Sequence, residues 1–189
     1  GYLDTEEVAN LSKVQIGAIS TAAIVGFSAS QLAGFTLDQT QALSDAQIGQ
    51  FDKDQLQGIN VEDLSTKQIA AIKGDQLAML DPAQISKLTP DQVKALKVAQ
   101  LQIFTTDQMY ALTTGAGEQV SVLSVAQISG LKDAQLAGLT PAQLGTFSKD
   151  QVAALTGKQL NSLTEEQMSG FGDDQIKSLT KVQMAAIDA

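Results

Sequence analysis

The chain has 189 residues, 12 lysines, no arginine and 21 acidic residues, for a net charge of −9, so it offers no basic face to nucleic acid or to an anionic membrane surface. Cys, His and Trp are absent, which removes disulfides, thiolate and imidazole metal sites and the common nucleophile–base pairs. No apolar run reaches the roughly 20 residues a spanning helix needs, and the greasiest stretch, residues 19–27, lacks the basic leader of a signal peptide.

In chain order the sequence is one motif written repeatedly. Each unit reads Leu/Phe, Ser/Thr, any residue, Asp/Ala, Gln, an aliphatic residue, any residue and a small residue, as in Leu88 to Ala95. The first units carry Glu7, Gln15 and Ala23 at the marker position. Gln31, Gln39, Gln47 and Gln55 follow, then Gln68 to Gln108 and Gln119 to Gln183, both in steps of eight. Of 23 units, 20 hold Gln there, the departures being Glu7, Ala23 and Asp63. The next residue is aliphatic or Met except at Thr40, and three further on stands Leu, Ile or Phe except at Lys67.

Apolar residues three apart fit one face of a helical turn, whereas a strand needs spacings of two. An unbroken α-helix would overshoot two turns by about 80° every eight residues, and its apolar stripe would wander around the axis. The pattern therefore predicts one short helix per unit, broken and restarted each time. Restart signals are explicit. Ser12 with Gln15, Ser28 with Gln31, Thr105 with Gln108 and Thr164 with Gln167 each spell a capping box. Pro82, Pro90 and Pro141 all fall just after a cap, where a missing N–H costs nothing. All 21 acidic residues lie between cap and marker, 11 of them directly before the marker, facing the positive helix end. Asp38, Asp54, Asp75, Asp91, Asp107, Asp150 and Asp174 are read as first-turn stabilisers rather than calcium ligands, since no EF-hand-like loop occurs; Asp52-Lys53-Asp54 is too short and carries a cation.

Burying two aliphatic side chains yields about 3 to 6 kcal/mol per unit, against about 12 kcal/mol to order eight residues. Units must therefore stack. Small residues before the Leu, including Gly26, Gly34, Gly130, Gly138 and Gly170, point to close approach between rungs. The 24-residue spacings Phe27–Phe51, Phe147–Phe171 and Met79–Ile103 favour three helices per coil, while two per coil also fits. The expected fold is an all-α solenoid over 1–189 as one continuous array. It has phase defects at 63–67, where three residues are lost, and at 113–118, where three are gained and a small exposed loop is expected.

The Gln row has two readings, a polar row for sugars or peptides, or the second half of each capping box with bonds to neighbouring rungs; the second is favoured. No carboxylate pair stands apart from the regular array, so the chain is read as noncatalytic, with no cofactor and no metal site. Core phases are still apolar at both ends, and Leu3, Val8, Leu11, Ile176, Leu179, Met184 and Ile187 are the candidates for head-to-tail self-assembly or for contact with further repeats of a longer chain.

LTPDQV at 88–93 looks like the opening of a TAL effector repeat, but that family is basic and repeats near every 34 residues. Ice-nucleation octapeptides form strands, and the Gly-Gly-x-Gly-x-Asp of calcium-binding nonapeptides is missing. Over essentially its whole length the chain resembles the tandem LTxxQ(I/V/L)xxL arrays of large bacterial surface-exposed or secreted proteins, seen in LTPAQLGTF from Leu139 to Phe147 and LTEEQMSGF from Leu163 to Phe171. That resemblance implies a structural or adhesive protein, extracellular or on a bacterial cell surface, with itself, neighbouring repeats or a surface glycan as partner.

Overall fold

The computed structural model describes residues 3–112 and 119–187. Among these residues are 21 α-helices of four to six residues each, a single 3-10 turn and no strand, so the fold is all-helical with one short helix per octet. The expected loop at 113–118 lies outside the described residues. Contacts group the chain into two compact units, Gly1–Leu88 and Thr89–Ala189. Octet spacing runs unbroken across that boundary, from Gln84 to Gln92, and nothing in the composition marks a linker.

Each helix starts for the reason written in the sequence. At Thr140 the cap N–H donates to Gln143 Oε1 at 2.6 Å, and the Gln143 N–H donates to Thr140 Oγ1 at 3.1 Å. Ser28, Ser44, Asp52, Asp81 and Thr164 make the same reciprocal pair. Pro82, Pro90 and Pro141 sit in the first turn of their helices. Each helix ends after at most six residues, and the Leu, Ile or Phe that follows turns inward as the chain passes to the next cap.

In the first unit, Thr5–Ala9 packs on Ala29–Ala33, Lys13–Ala18 on Leu37–Ala42, Thr21–Ile24 on Asp45–Ile48 and Ala29–Ala33 on Lys53–Gly58. In the second, Val125–Ser129 packs on Lys149–Ala153, Pro141–Gly145 on Glu165–Met168 and Gly157–Asn161 on Lys181–Ala186. In each of these pairs a helix meets the third one along, which makes three helices per coil within each unit. The core of each unit is the stacked aliphatic pairs: Leu56 with Ile59 or Leu77 with Leu80 in the first, Leu136 with Leu139 or Val152 with Leu155 in the second. Phe27 meets Phe35 edge-to-face, with ring centroids 6.2 Å apart.

The small residues before the Leu divide into two kinds. A Cβ on Gly138 would lie 2.6 Å from the Thr106 carbonyl oxygen, and one on Gly170 would run into the Pro141 main chain, so both record backbone-to-backbone contact between coils. Gly26 does not, since its nearest neighbour is the Ala23 carbonyl of its own turn at 3.3 Å.

At the shortened unit the helix is replaced by the 3-10 turn Val61–Asp63. A 3-10 turn has three residues per turn, so side chains at i and i+3 eclipse. Val61 and Leu64 are both buried and supply the two inward side chains from five residues instead of eight. Lys67 therefore occupies no core position; Leu64 closes this unit, and Ser65 caps the next helix at once.

Candidate functional site

Among the described residues the fold gathers one chemistry-bearing row, the marker glutamines. From Gln31 to Gln183 they are all buried, none more than 8 % exposed. Each amide faces two ways. Gln76 Oε1 accepts the Lys73 N–H at 3.2 Å, closing its own cap, while Nε2 donates to the Ile48 and Phe51 carbonyls at 2.8 and 3.1 Å, one coil back. Gln167 does the same with the Thr164 N–H at 3.0 Å and with the Leu136 and Leu139 carbonyls at 2.9 and 2.8 Å. The two acceptors lie at the C-terminal end of a helix, where carbonyls run short of intrahelical donors; the first, Ile48 or Leu136, also accepts the N–H of the second, Phe51 or Leu139, at 3.0 Å. One side chain therefore caps a helix N-terminus and a helix C-terminus in adjacent coils.

This explains why the marker is more regular than the cap. At Lys97, Lys132 and Gly172 the cap residue supplies no side-chain acceptor. The glutamine still takes the cap N–H, at 2.8, 3.0 and 2.7 Å respectively. The cap hydroxyl is replaceable because it serves one bond; the amide serves three.

The row also survives the phase defects. Gln55 reaches carbonyls 31 and 28 residues back, at Ile24 and Phe27. Past the deletion, Gln68 reaches only 28 and 25 back, to Thr40 and Leu43. Across the three-residue gain, Gln127 reaches 34 and 31 back, to Val93 and Leu96. In each case the acceptors hold the same motif positions, so chain length changes while the bonded register does not. Asp63 is the one described rung past the first coil without an amide donor, and near it Asn60 Nδ2 makes a long 3.5 Å bond to the Ala33 carbonyl.

The first coil is different. Its markers, Glu7, Gln15 and Ala23, are exposed. Glu7 Oε2 accepts the Asp4 N–H at 2.8 Å, and Gln15 Oε1 accepts from the Ser12 N–H and hydroxyl, both at 2.9 Å. Around them lies an apolar hollow of about 570 Å³ lined by Leu3, Leu11, Gln15, Ile19, Ala22, Ala23, Gly26, Phe27 and Gln31.

The residues expected at the ends are distributed as follows. Leu3 is 39 % exposed and Leu11 half-buried at one end, while Ile176 at 40 % and Met184 at 55 % are exposed and Leu179 and Ile187 half-buried at the other. Val8 is fully buried inside the first coil, so it supports that surface without being part of it.

The carboxylates line the surface in first turns and do not converge; among the described residues no group of three or more could hold a metal ion. Lys149–Asp174 at 3.2 Å and Lys158–Asp133 at 2.8 Å bridge adjacent coils on the surface. The hydrogen bond and charge of Asp133 raise the pKa of the Lys158 ammonium, which itself stands in solvent. No described helix is long and apolar enough to cross a membrane. Models of known protein families give no match to the chain, and a search of curated proteins finds no significant relative.

Proposed function

We propose that the chain is a noncatalytic structural repeat protein, a rod or stalk segment formed by stacking of octapeptide coils, extracellular or on a bacterial cell surface. The observation that carries this reading is the buried glutamine row. Chemistry that would serve a ligand is instead consumed in holding one coil to the next, at a constant register that can be extended without limit. A row of exposed amides could bind sugar; a row with its donors already on main-chain carbonyls does not offer them. Bonding of this kind between neighbouring coils suits a spacer, whose task is to keep its length. The location rests on the resemblance of the LTxxQ(I/V/L)xxL motif to surface and secreted arrays.

Electron-microscope images of the purified chain test the shape, with an elongated particle expected and a compact globule counting against the proposal. A glycan array tests the role. Binding that disappears when one row of surface side chains is replaced would make the protein an adhesive scaffold instead.

A further inference from the structure

Two departures from the repeat, far apart in sequence, meet at one coil interface inside the first unit. Asp63 replaces a marker glutamine, and Thr40 is the only residue after a marker that is neither aliphatic nor Met. The 3-10 turn Val61–Asp63 packs on the helix Leu37–Ala42, which carries Thr40. The corners on either side of the turn are tied to the coil before by amides. Gln55 donates to the Ile24 and Phe27 carbonyls at 3.0 and 2.9 Å, and Gln68 to those of Thr40 and Leu43 at 2.9 and 2.7 Å. One octet on from Ile24 and Phe27 stand Leu32 and Phe35, the acceptors that a glutamine at position 63 would serve.

Neither receives an amide. The Leu32 carbonyl keeps the Phe35 N–H at 3.1 Å, but among the described residues nothing donates to the carbonyl of Phe35, which is buried. Asn60 Nδ2 spans to the Ala33 carbonyl at 3.5 Å, the outer limit of a hydrogen bond. The Thr40 hydroxyl, fully buried, has no partner either. Closed, this corner therefore holds two polar groups away from water without partners; opened, it gives both of them to water. Corners such as those of Gln76 and Gln167 gain nothing of the kind by opening, because amide and carbonyls already satisfy each other. Burial of Val61 and Leu64 works in the other direction and keeps the corner shut most of the time.

We infer that the corner from Asn60 to Leu64 is a hinge. The coils that meet there part on this side and hydrate the Phe35 carbonyl and the Thr40 hydroxyl, while Gln55 and Gln68 hold the neighbouring corners together. Such an opening is local and lies well below the free energy of unfolding the array. It gives a structural array a joint at a fixed place, in contrast to bending spread evenly over its coils. The inference rests on the structural reading above for what a joint serves, but the two fail separately: a compact globule or glycan binding overturns that reading, and thiol labelling overturns this one.

The chain has no cysteine, so one introduced thiol reports on its own site. Val61→Cys places it on the turn, and Val93→Cys and Val152→Cys place it at fully buried positions directly after Gln92 and Gln151. Each variant, its fold verified by circular dichroism, is labelled with a thiol reagent in urea concentrations below its unfolding transition. The Val61→Cys chain is expected to react about tenfold faster than the other two or more, at a rate nearly independent of urea, because a local opening exposes little surface. The two controls react only through unfolding, with rates that climb steeply with urea. Adding Thr40→Val to Val61→Cys removes one of the groups that opening hydrates and should slow the labelling by about 5- to 30-fold. Thr40→Cys sets the thiol on the facing helix and is expected to show the same weak urea dependence, which provides a second reading should Val61→Cys fail to fold. Labelling as steep in urea as the controls, at either position, or a rate that Thr40→Val leaves unchanged, overturns the inference.

Discussion

Gln135 isolates what the glutamine row contributes, because its cap is Lys132 and no hydroxyl shares the work. Its Oε1 accepts the Lys132 N–H at 3.0 Å, and its Nε2 donates to the Leu101 and Phe104 carbonyls at 2.7 and 2.9 Å. Gln135→Met keeps the length and loses all three bonds. The Leu101 carbonyl still accepts the Phe104 N–H at 3.0 Å, so it is not orphaned, and the Lys132 N–H is near enough to solvent to be hydrated. The Phe104 carbonyl has neither escape. One orphaned buried group costs about 1 to 3 kcal/mol and two exchanged bonds about 1 kcal/mol each, offset in part by the buried thioether, for a net loss of about 2 to 4 kcal/mol. Gln135→Glu separates the two halves of the amide. The carboxylate still takes the Lys132 N–H, but its other oxygen faces two carbonyls, which only a protonated carboxyl can satisfy. Its pKa is therefore raised in the folded state, the folded state holds the proton more tightly than the unfolded one, and stability falls as pH rises above the ordinary Glu range. Below that range the Glu variant should return close to the parent. Urea titrations at neutral and acidic pH measure both effects. A Met variant within about 0.5 kcal/mol of the parent, or a Glu variant whose deficit is independent of pH, would refute the view that donors to the previous coil hold the array together.

Thr40 stands where other units have an aliphatic residue, and its fully buried Oγ1 has no hydrogen-bond partner. Thr40→Val keeps the shape, leaves the main-chain bond from Gln68 intact, and should raise the unfolding free energy by about 1 to 2 kcal/mol in chemical denaturation. Gly138→Ala, with its Cβ forced to 2.6 Å from the Thr106 carbonyl, should lose about 1 to 3 kcal/mol, whereas Gly26→Ala, at 3.3 Å from its own turn, should be neutral or slightly stabilising; thermal melts of the pair make the comparison. Lys132→Thr restores the missing half of a capping box and should add about 0.5 to 1 kcal/mol by the same denaturation assay.

The helices and their starts were legible because they are local. Period, cap, proline position and acidic first turns all act within four residues, and each pair of inward side chains is fixed by the same octet. What eight residues cannot encode is the partner across coils. Phe27 and Phe51 suggested the 24-residue repeat by their spacing, yet Phe27 meets Phe35, and the three-helix coil is established by which helices pack together and by the reach of the glutamine amides. Gly26 and Gly138 look alike in sequence and differ in space, because only one faces a neighbouring backbone. The 3-10 turn at Val61–Asp63 was hidden for a similar reason. A missing core leucine reads as a defect until Val61 is seen to fill its place.

The choice of glutamine follows from the distance it must bridge and from the two roles it must combine. A cap three residues away needs an acceptor, and carbonyls in the previous coil need a donor, both from one side chain on the helix's first turn. Asparagine has both groups on a shorter stem; Asp63, with the same stem and no donor, makes no side-chain bond in the place where a rung is missing. Glutamate has the reach and only the acceptor, as Glu7 shows by taking the Asp4 N–H and donating to nothing. Lysine has only donors, and Lys73 illustrates the half it can do: its Nζ reaches the Gly49 carbonyl of the previous coil at 2.8 Å, while its cap still depends on Gln76. A long amide is the side chain that does both without burying charge. Its near-invariance therefore follows from coil-to-coil bonding, and a row of identical surface ligands would not have required it.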